Sequence, residues 1–276
     1  MRPLAKLPAS RARALRGVLF DLDDTVLSHG HLGLRAYAAI CRAAESGLVL
    51  GAATGRPCAW GEVLVRQWPV RFVVVENGAL AIVREGAGVA VKDPCDPTER
   101  GHRVAALRAL EREMAEKLPD LRPADDAWCR RTDTTWDIGE RERASKETIL
   151  AASEIIHRAG AATFASSVHL HASFDRTDKA QGAVRFLHGI TGEDESAALH
   201  AFAFIGDSTN DAPCFSAFHT TFGVANVDRY ASRMAVPPRW VASAEMGEGF
   251  AEIIDKLLDL RTTLRSEGGE LSVRLV

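Results

Sequence analysis

Gly17-Val18-Leu19-Phe20-Asp21-Leu22-Asp23-Asp24-Thr25 is the stretch on which the reading of this chain turns. Gly17 to Phe20 is a short apolar run of the kind that forms a parallel strand buried on both faces. Asp21 and Asp23, two positions apart, then emerge where that strand ends. Ligands of open α/β sheets bind outside the carboxyl ends of the strands, so two acids there have a chemical use that a surface pair lacks. Taken alone, the stretch also reads as a polar turn after a strand.

The same arrangement recurs three times. Gly47 to Ala53 leads into Thr54-Gly55-Arg56, Phe72 to Val75 into Glu76-Asn77-Gly78, and Ala201 to Ile205 into Gly206-Asp207-Ser208-Thr209-Asn210-Asp211. Helical periodicity separates these runs, and alternating helices and strands imply a parallel sheet covered on both faces. From about Asp93 to Phe174 the pattern changes to helix, strands, helix, strands. Val104, Leu107, Leu110, Met114 and Leu118 mark a first helix, Ala127 to Ile138 alternates like a strand, Lys146 to Ala159 is a second helix, and Ala162 to Ser173 alternates again. The expected fold is α/β: a Rossmann-like parallel-sheet core, residues 17–93 and 175–276, with an inserted α+β cap domain over 94–174.

Length and composition narrow the function. A chain of 276 residues with a formal net charge of −3 is long enough for a large core and shows no overall basic character. Nucleic acid is therefore not an expected partner. No apolar run approaches a membrane span, so no membrane is expected either, and a cytoplasmic location is the default. Arg2, Lys6, Arg11, Arg13 and Arg16 crowd the first sixteen residues, with Pro3 and Pro8 among them, and residues 1–16 read as a flexible basic tail. The C-terminal stretch from Ser266, with Gly268-Gly269, is expected to fray. Five scattered cysteines without a Cys-x-x-Cys pair indicate neither a zinc site nor a disulfide framework.

Taken together and in order, Asp21/Asp23/Thr25, Thr54, Lys179 and Asp207/Asp211 resemble the four motifs of the haloacid dehalogenase superfamily of phosphotransferases. The position of the insert, and Glu76-Asn77-Gly78 before it, are similar to the type IIB cap branch, which includes sucrose phosphatase and phosphomannomutase. The resemblance implies a phosphatase for a small phosphorylated metabolite, a sugar phosphate or phosphorylated glycoside, with Mg²⁺ as cofactor. A sugar phosphomutase and a catalytically inactive ligand-binding regulator are the alternatives.

Each residue then has an implied role. A phosphate monoester is dianionic, so a carboxylate nucleophile needs positive charge close by, and Mg²⁺ takes hard oxygen ligands. Asp21 and Asp207 are the side-chain ligands, helped by the Asp23 carbonyl and by Asp211 through water, although a four-residue spacing also suits helix capping by Asp207 and Asp211. Asp21 is the nucleophile and Asp23 the general acid and base. Thr54, the amide of Gly55, Lys179 and Asn210 bind or position phosphate. A second acid at Asp23 speaks against dehalogenation, whose leaving halide needs no proton. In the cap, Arg130, Arg131, His169 and His171 are candidates for the leaving group, with exposure on a solvated sheet face as the plain alternative.

Overall fold

The structure, a computed structural model, describes residues 1–166, 168–192 and 194–262. The expected fraying from Ser266 lies outside the described residues. The chain divides into two compact units, one of residues 1–52, 68–70 and 191–276 and one of residues 53–67 and 71–190.

The first unit is built on a parallel sheet. Strand Gly17–Phe20 is completely buried, as an all-apolar strand covered on both faces must be, and it pairs in parallel with Val49–Ala53 on one side and Phe202–Gly206 on the other. The sheet continues in parallel through Thr220–Gly223 and Trp240–Val241. Register places Phe20 opposite both Ala52 and Ile205, so the residues following these three strands start out side by side. Helix Met246–Thr262 buries Phe250, Ile253, Ile254 and Leu257 and packs against helix Leu34–Glu45, whose buried stripe is Ala36, Ala39, Ile40 and Ala43. Just after the first motif, Leu27–Ser28 and His31–Leu32 form a small antiparallel hairpin turned at His29 and Gly30, both at positive φ.

The basic amino terminus is folded, contrary to the flexible tail expected from its charges. Arg2–Pro3 adds a further parallel strand beside Trp240–Val241, Ala9–Ala14 is a helix, and Leu4, Leu7, Ala12 and Leu15 are buried. Arg261 donates to the carbonyl oxygens of Ala12 (3.0 Å) and Leu15 (2.6 Å). The apolar side chains spaced between the arginines, not the charges, fix this segment. Pro8 stands at the N-cap of the helix, where the missing N–H costs nothing.

The second unit holds two sets of antiparallel strands. Phe72–Val75, Leu80–Glu85 and Gly88–Lys92 form an antiparallel meander against which helix Cys58–Gln67 packs. The insert contributes an antiparallel three-stranded sheet, Ala162–Ala165, His169–Ser173 and Asp133–Asp137, with the His169–Ser173 strand in the middle. Its apolar face, Trp136, Leu170 and Ala172, joins Leu110 and Met114 of helix Pro97–Lys117 and Ile155 and Ile156 of helix Lys146–Arg158 in one cluster. Both helices start on side-chain caps: Asp96 accepts from the amides of Thr98 and Glu99, and Ser145 from that of Thr148. The expected strand from Ala127 is shorter than read. Ala127–Cys129 is a 3-10 turn and Arg130 folds back four residues onto Asp126, so extension starts only at Asp133.

Candidate active site

Three carboxylates converge in the first unit. The amide of Asp21 donates to the Ile205 carbonyl oxygen at 2.9 Å, which carries the parallel ladder one residue past the strand and aligns Asp21 with the segment that opens with Asp207. One side-chain oxygen each of Asp21, Asp207 and Asp211 lies within 4.8 Å of the others, and all three residues are buried. Two unit charges about 4 Å apart repel by about 4 kcal/mol at an effective dielectric of about 20. Such a trio favours positive charge among it.

The supports around the trio are specific. Asp207 accepts from the Thr25 hydroxyl (3.3 Å) and from the side-chain amide of Asn226 (2.9 Å). Asn226 is itself fixed, donating to the Asp24 carbonyl at 3.0 Å and accepting from the amide of Met246 at 3.0 Å. Asp211 accepts from the amides of Asp207 (2.9 Å) and Ser208 (3.3 Å), which closes a capping box. Capping and clustering are thus served by the same carboxylate. Gly206 is required by this packing: a Cβ there would lie 2.4 Å from the Asp211 Oδ2. Oxygen-only donors, buried and held from behind, match the preferences of a hard divalent cation. Asp23 stands outside the trio with its side chain exposed, and Asn210 is exposed and accepts from the Ser208 hydroxyl at 2.8 Å.

In the second unit the Thr54-Gly55-Arg56 loop is laced to the Glu76-Asn77-Gly78 turn. Thr54 accepts from the Asn77 amide (3.1 Å), Arg56 accepts from the Glu76 amide (3.0 Å), and the Thr54 hydroxyl oxygen accepts from the Arg56 amide (3.1 Å). Glu76, Asn77 and Gly78 sit at φ 49°, 54° and 105°, three left-handed residues in succession. Glycine at 78 is obligatory, because a Cβ there would stand 2.1 Å from the Asp178 carbonyl oxygen, and one on Gly182 would stand 2.3 Å from the Gly78 Cα. Helix Lys179–Thr191 is thereby seated on the turn at its very start. Its first residue, Lys179, is 2 % exposed. The same turn therefore positions Thr54 and Lys179.

Glu76 adds a second function to that turn. Its buried carboxylate accepts from the amides of Cys58 (2.9 Å), Arg131 (3.1 Å) and Thr132 (2.6 Å) and from the Thr132 hydroxyl (2.6 Å), binding the insert to the start of helix Cys58–Gln67. Burial, and then the neighbouring Asp133, hold this carboxyl above the ordinary glutamate range, while the hydrogen bonds pull it back. Burial also pushes the nearby Cys58 thiol up to about 11, which makes it an inert packed thiol at neutral pH.

The candidates in the insert separate into two kinds. Arg130 is 8 % exposed, and its guanidinium is committed: Nε and Nη2 to Asp126 (3.0 and 2.8 Å), Nη1 to Asp133 (3.0 Å) and to the Gly55 carbonyl oxygen (3.1 Å). It braces the Thr54-Gly55-Arg56 backbone against the insert. Burial works against its charge, but Asp133 and Asp126 more than offset this and raise its pKa. Arg131 is exposed. His169 and His171 share the sheet face opposite the helices, as alternation predicts. His171 contacts Asp133 (3.1 Å), stacks on Phe164 with ring centroids 4.5 Å apart, and is kept neutral chiefly by burial. His169 meets Glu140 at 2.7 Å.

Three contributors escaped the sequence reading. Phe164 is visible only once strand register places it opposite His171. Asn226 follows the strand Thr220–Gly223 at its carboxyl end, so the run-then-polar pattern that exposed Asp207 was present there too. The carboxylate of Glu76 gave no signal beyond its place in the turn.

With this geometry in view, the comparisons are direct. Residues 18–109 match the family model of haloacid dehalogenase-like hydrolases. Solved structures similar to the chain include the Thermoplasma acidophilum 0175 protein, 20 % identical at a TM-score of 0.70, covering 89 % of this chain and 99 % of that one. A putative HAD/COF-like hydrolase from Plasmodium vivax is 19 % identical at 0.66, covering 92 % and 100 %. The sucrose-phosphatase of Synechocystis sp., solved with sucrose and phosphate, is 16 % identical at 0.61, covering 88 % and 98 %. Among curated proteins none matches. The likeness to haloacid dehalogenase-like hydrolases is carried by residues 18–109, and the solved structures share the fold of the chain. Among the described residues no helix is long and apolar enough to cross a membrane.

Proposed function

We propose that this protein is a Mg²⁺-dependent phosphomonoesterase that works through an aspartyl phosphate on a small phosphorylated metabolite of the sugar phosphate or phosphorylated glycoside class. The observation that carries the reading is the buried convergence of Asp21, Asp207 and Asp211 at the carboxyl ends of two adjacent parallel strands. Oxygen donors of this kind, rather than nitrogen or sulfur, select Mg²⁺ over softer metals. Bound there, the ion would screen the charge of the phosphoryl group and of Asp21 from one another.

The residues of the chain do the rest. A carboxylate oxygen of Asp21 attacks phosphorus while the bond to the leaving oxygen breaks, and Asp23 gives that oxygen a proton. Asp23, now ionised, takes a proton from water, whose oxygen attacks the same phosphorus and releases Asp21 and inorganic phosphate. Exposure of Asp23 suits a group that must meet first the leaving oxygen and then an incoming water in each cycle. The Thr54 hydroxyl, whose oxygen already accepts from the Arg56 amide, keeps its proton free for a phosphate oxygen. Gly55 offers its amide, Lys179 its charge and Asn210 its side-chain amide. The 94–174 insert serves as the specificity cap, with Arg131, His169, His171 and Phe164 meeting the leaving group and Arg130 bracing the loop behind them.

A panel of phosphorylated sugars and glycosides with Mg²⁺ tests the reading, with free phosphate rather than an isomerised sugar phosphate as the expected product. Chelation by EDTA should stop turnover, and Mg²⁺ added back should restore it. Full activity after exhaustive chelation would refute the metal assignment. Replacing Asp23 by Asn should lower kcat by about 10²- to 10⁴-fold, and least for substrates whose leaving group needs no proton, such as a nitrophenolate. Equal losses across leaving groups of different basicity would remove Asp23 from the proton transfer.

A further inference from the structure

Within the second unit, a cavity of about 750 Å³ opens beside the two ends of the insert, and none of the site residues assigned above lines it. Cys95 lines it from the start of the insert, Phe174 from its end, Arg176 from the chain just beyond, His102 and Arg103 from helix Pro97–Lys117, and Arg185 from helix Lys179–Thr191. Its volume lies in the range of small-molecule sites.

The charges in and beside its walls are unevenly matched. Arg100 is paired with Asp93 (2.8 Å) and Asp175 (2.5 Å), and Arg103 with Asp175 (2.8 Å) and Glu99 (2.9 Å). Three carboxylates thus take up those two guanidinium groups. Arg176 and Arg185 are exposed and, among the described residues, have neither hydrogen bond nor ion pair, although both line the cavity. They come from different segments, and His102 adds an imidazole to the same wall. A planar guanidinium is matched to carboxylate or phosphate oxygens in pairs. Phe174, Ala106 and Pro94 provide apolar wall for a carbon skeleton.

We infer that this cavity is a second ligand site, separate from the phosphate-transfer site, for a small organic molecule bearing two anionic groups, one held by Arg176 and the other by Arg185. A ligand bridging them ties the segment leaving the insert to the helix that opens with Lys179. Through that helix the cavity has a route to turnover.

The test is calorimetric titration of the Asp21→Asn protein, free of Mg²⁺, with methylenediphosphonate, and with orthophosphate as the single-anion control. Saturable diphosphonate binding, tighter than orthophosphate, is expected. Adding Arg176→Ala and Arg185→Ala should weaken it at least tenfold, and adding Thr54→Ala instead should leave it unchanged. Raising the ionic strength should weaken it as well. No binding, binding indifferent to the two arginines, binding lost with Thr54, or orthophosphate binding as tightly would each overturn the site. Should the double substitution impair folding, Arg185→Gln alone must still show the loss. The outcome does not depend on the enzyme's having phosphatase activity, because the titrated protein lacks the proposed nucleophile.

Discussion

Replacing Asp21 by Asn should reduce kcat toward the best phosphomonoester by about 10⁴-fold or more, a barrier increase of at least about 5.4 kcal/mol. The amide is nearly isosteric but cannot attack phosphorus, so the covalent route is closed rather than slowed. A second measurement separates this from misfolding. Asp21 is one of three buried acids whose oxygens lie within 4.8 Å, and in metal-free buffer its negative charge repels the other two. Neutralising it relieves that repulsion, so the variant should melt no lower than wild type in EDTA, and should lose most of the stabilisation that wild type gains from Mg²⁺. Phosphate release equal to that of wild type would reject Asp21 as nucleophile. A lower melting temperature in EDTA would reject the cluster's like-charge strain.

The second large effect falls on stability. Glu76→Ala should cost about 3–5 kcal/mol of unfolding free energy, as expected when one partner is removed from a buried charged network. The four donors now facing this carboxylate, three backbone amides and the Thr132 hydroxyl, would lose their acceptor inside the protein. Glu76→Gln should fall between wild type and Ala, since its carbonyl oxygen still accepts while its NH₂ is set against other N–H groups. Denaturant unfolding gives the numbers. A loss under about 1 kcal/mol for Ala would mean that water replaces the carboxylate and that the turn needs only its backbone.

The strands that end in chemistry were readable because buried parallel strands are apolar runs, and polar residues at their carboxyl ends stand out against them. Asp21, Asp207 and Asp211 were found by that contrast, and the parallel pairing of Gly17–Phe20 with Phe202–Gly206 brings them together. Side-chain direction was less legible. Arg130 looked like a substrate donor because arginine usually is one when exposed, yet Asp126 and Asp133, four residues before it and three after, draw it inward. That outcome depends on a 3-10 turn that periodicity does not announce. The amino terminus was misread for a related reason: five basic residues dominate its composition, while only four apolar side chains are needed to dock it. Glu76 was seen as part of a motif, but a carboxylate saturated by backbone donors is a tertiary fact, and no local pattern encodes it.

The docked amino terminus has a practical consequence. Arg2–Pro3 covers the outer edge of Trp240–Val241, and a proline there presents one donor fewer to any strand approaching from outside. Trimming those first residues would leave the Trp240 strand with unpaired backbone groups facing solvent, an invitation to self-association.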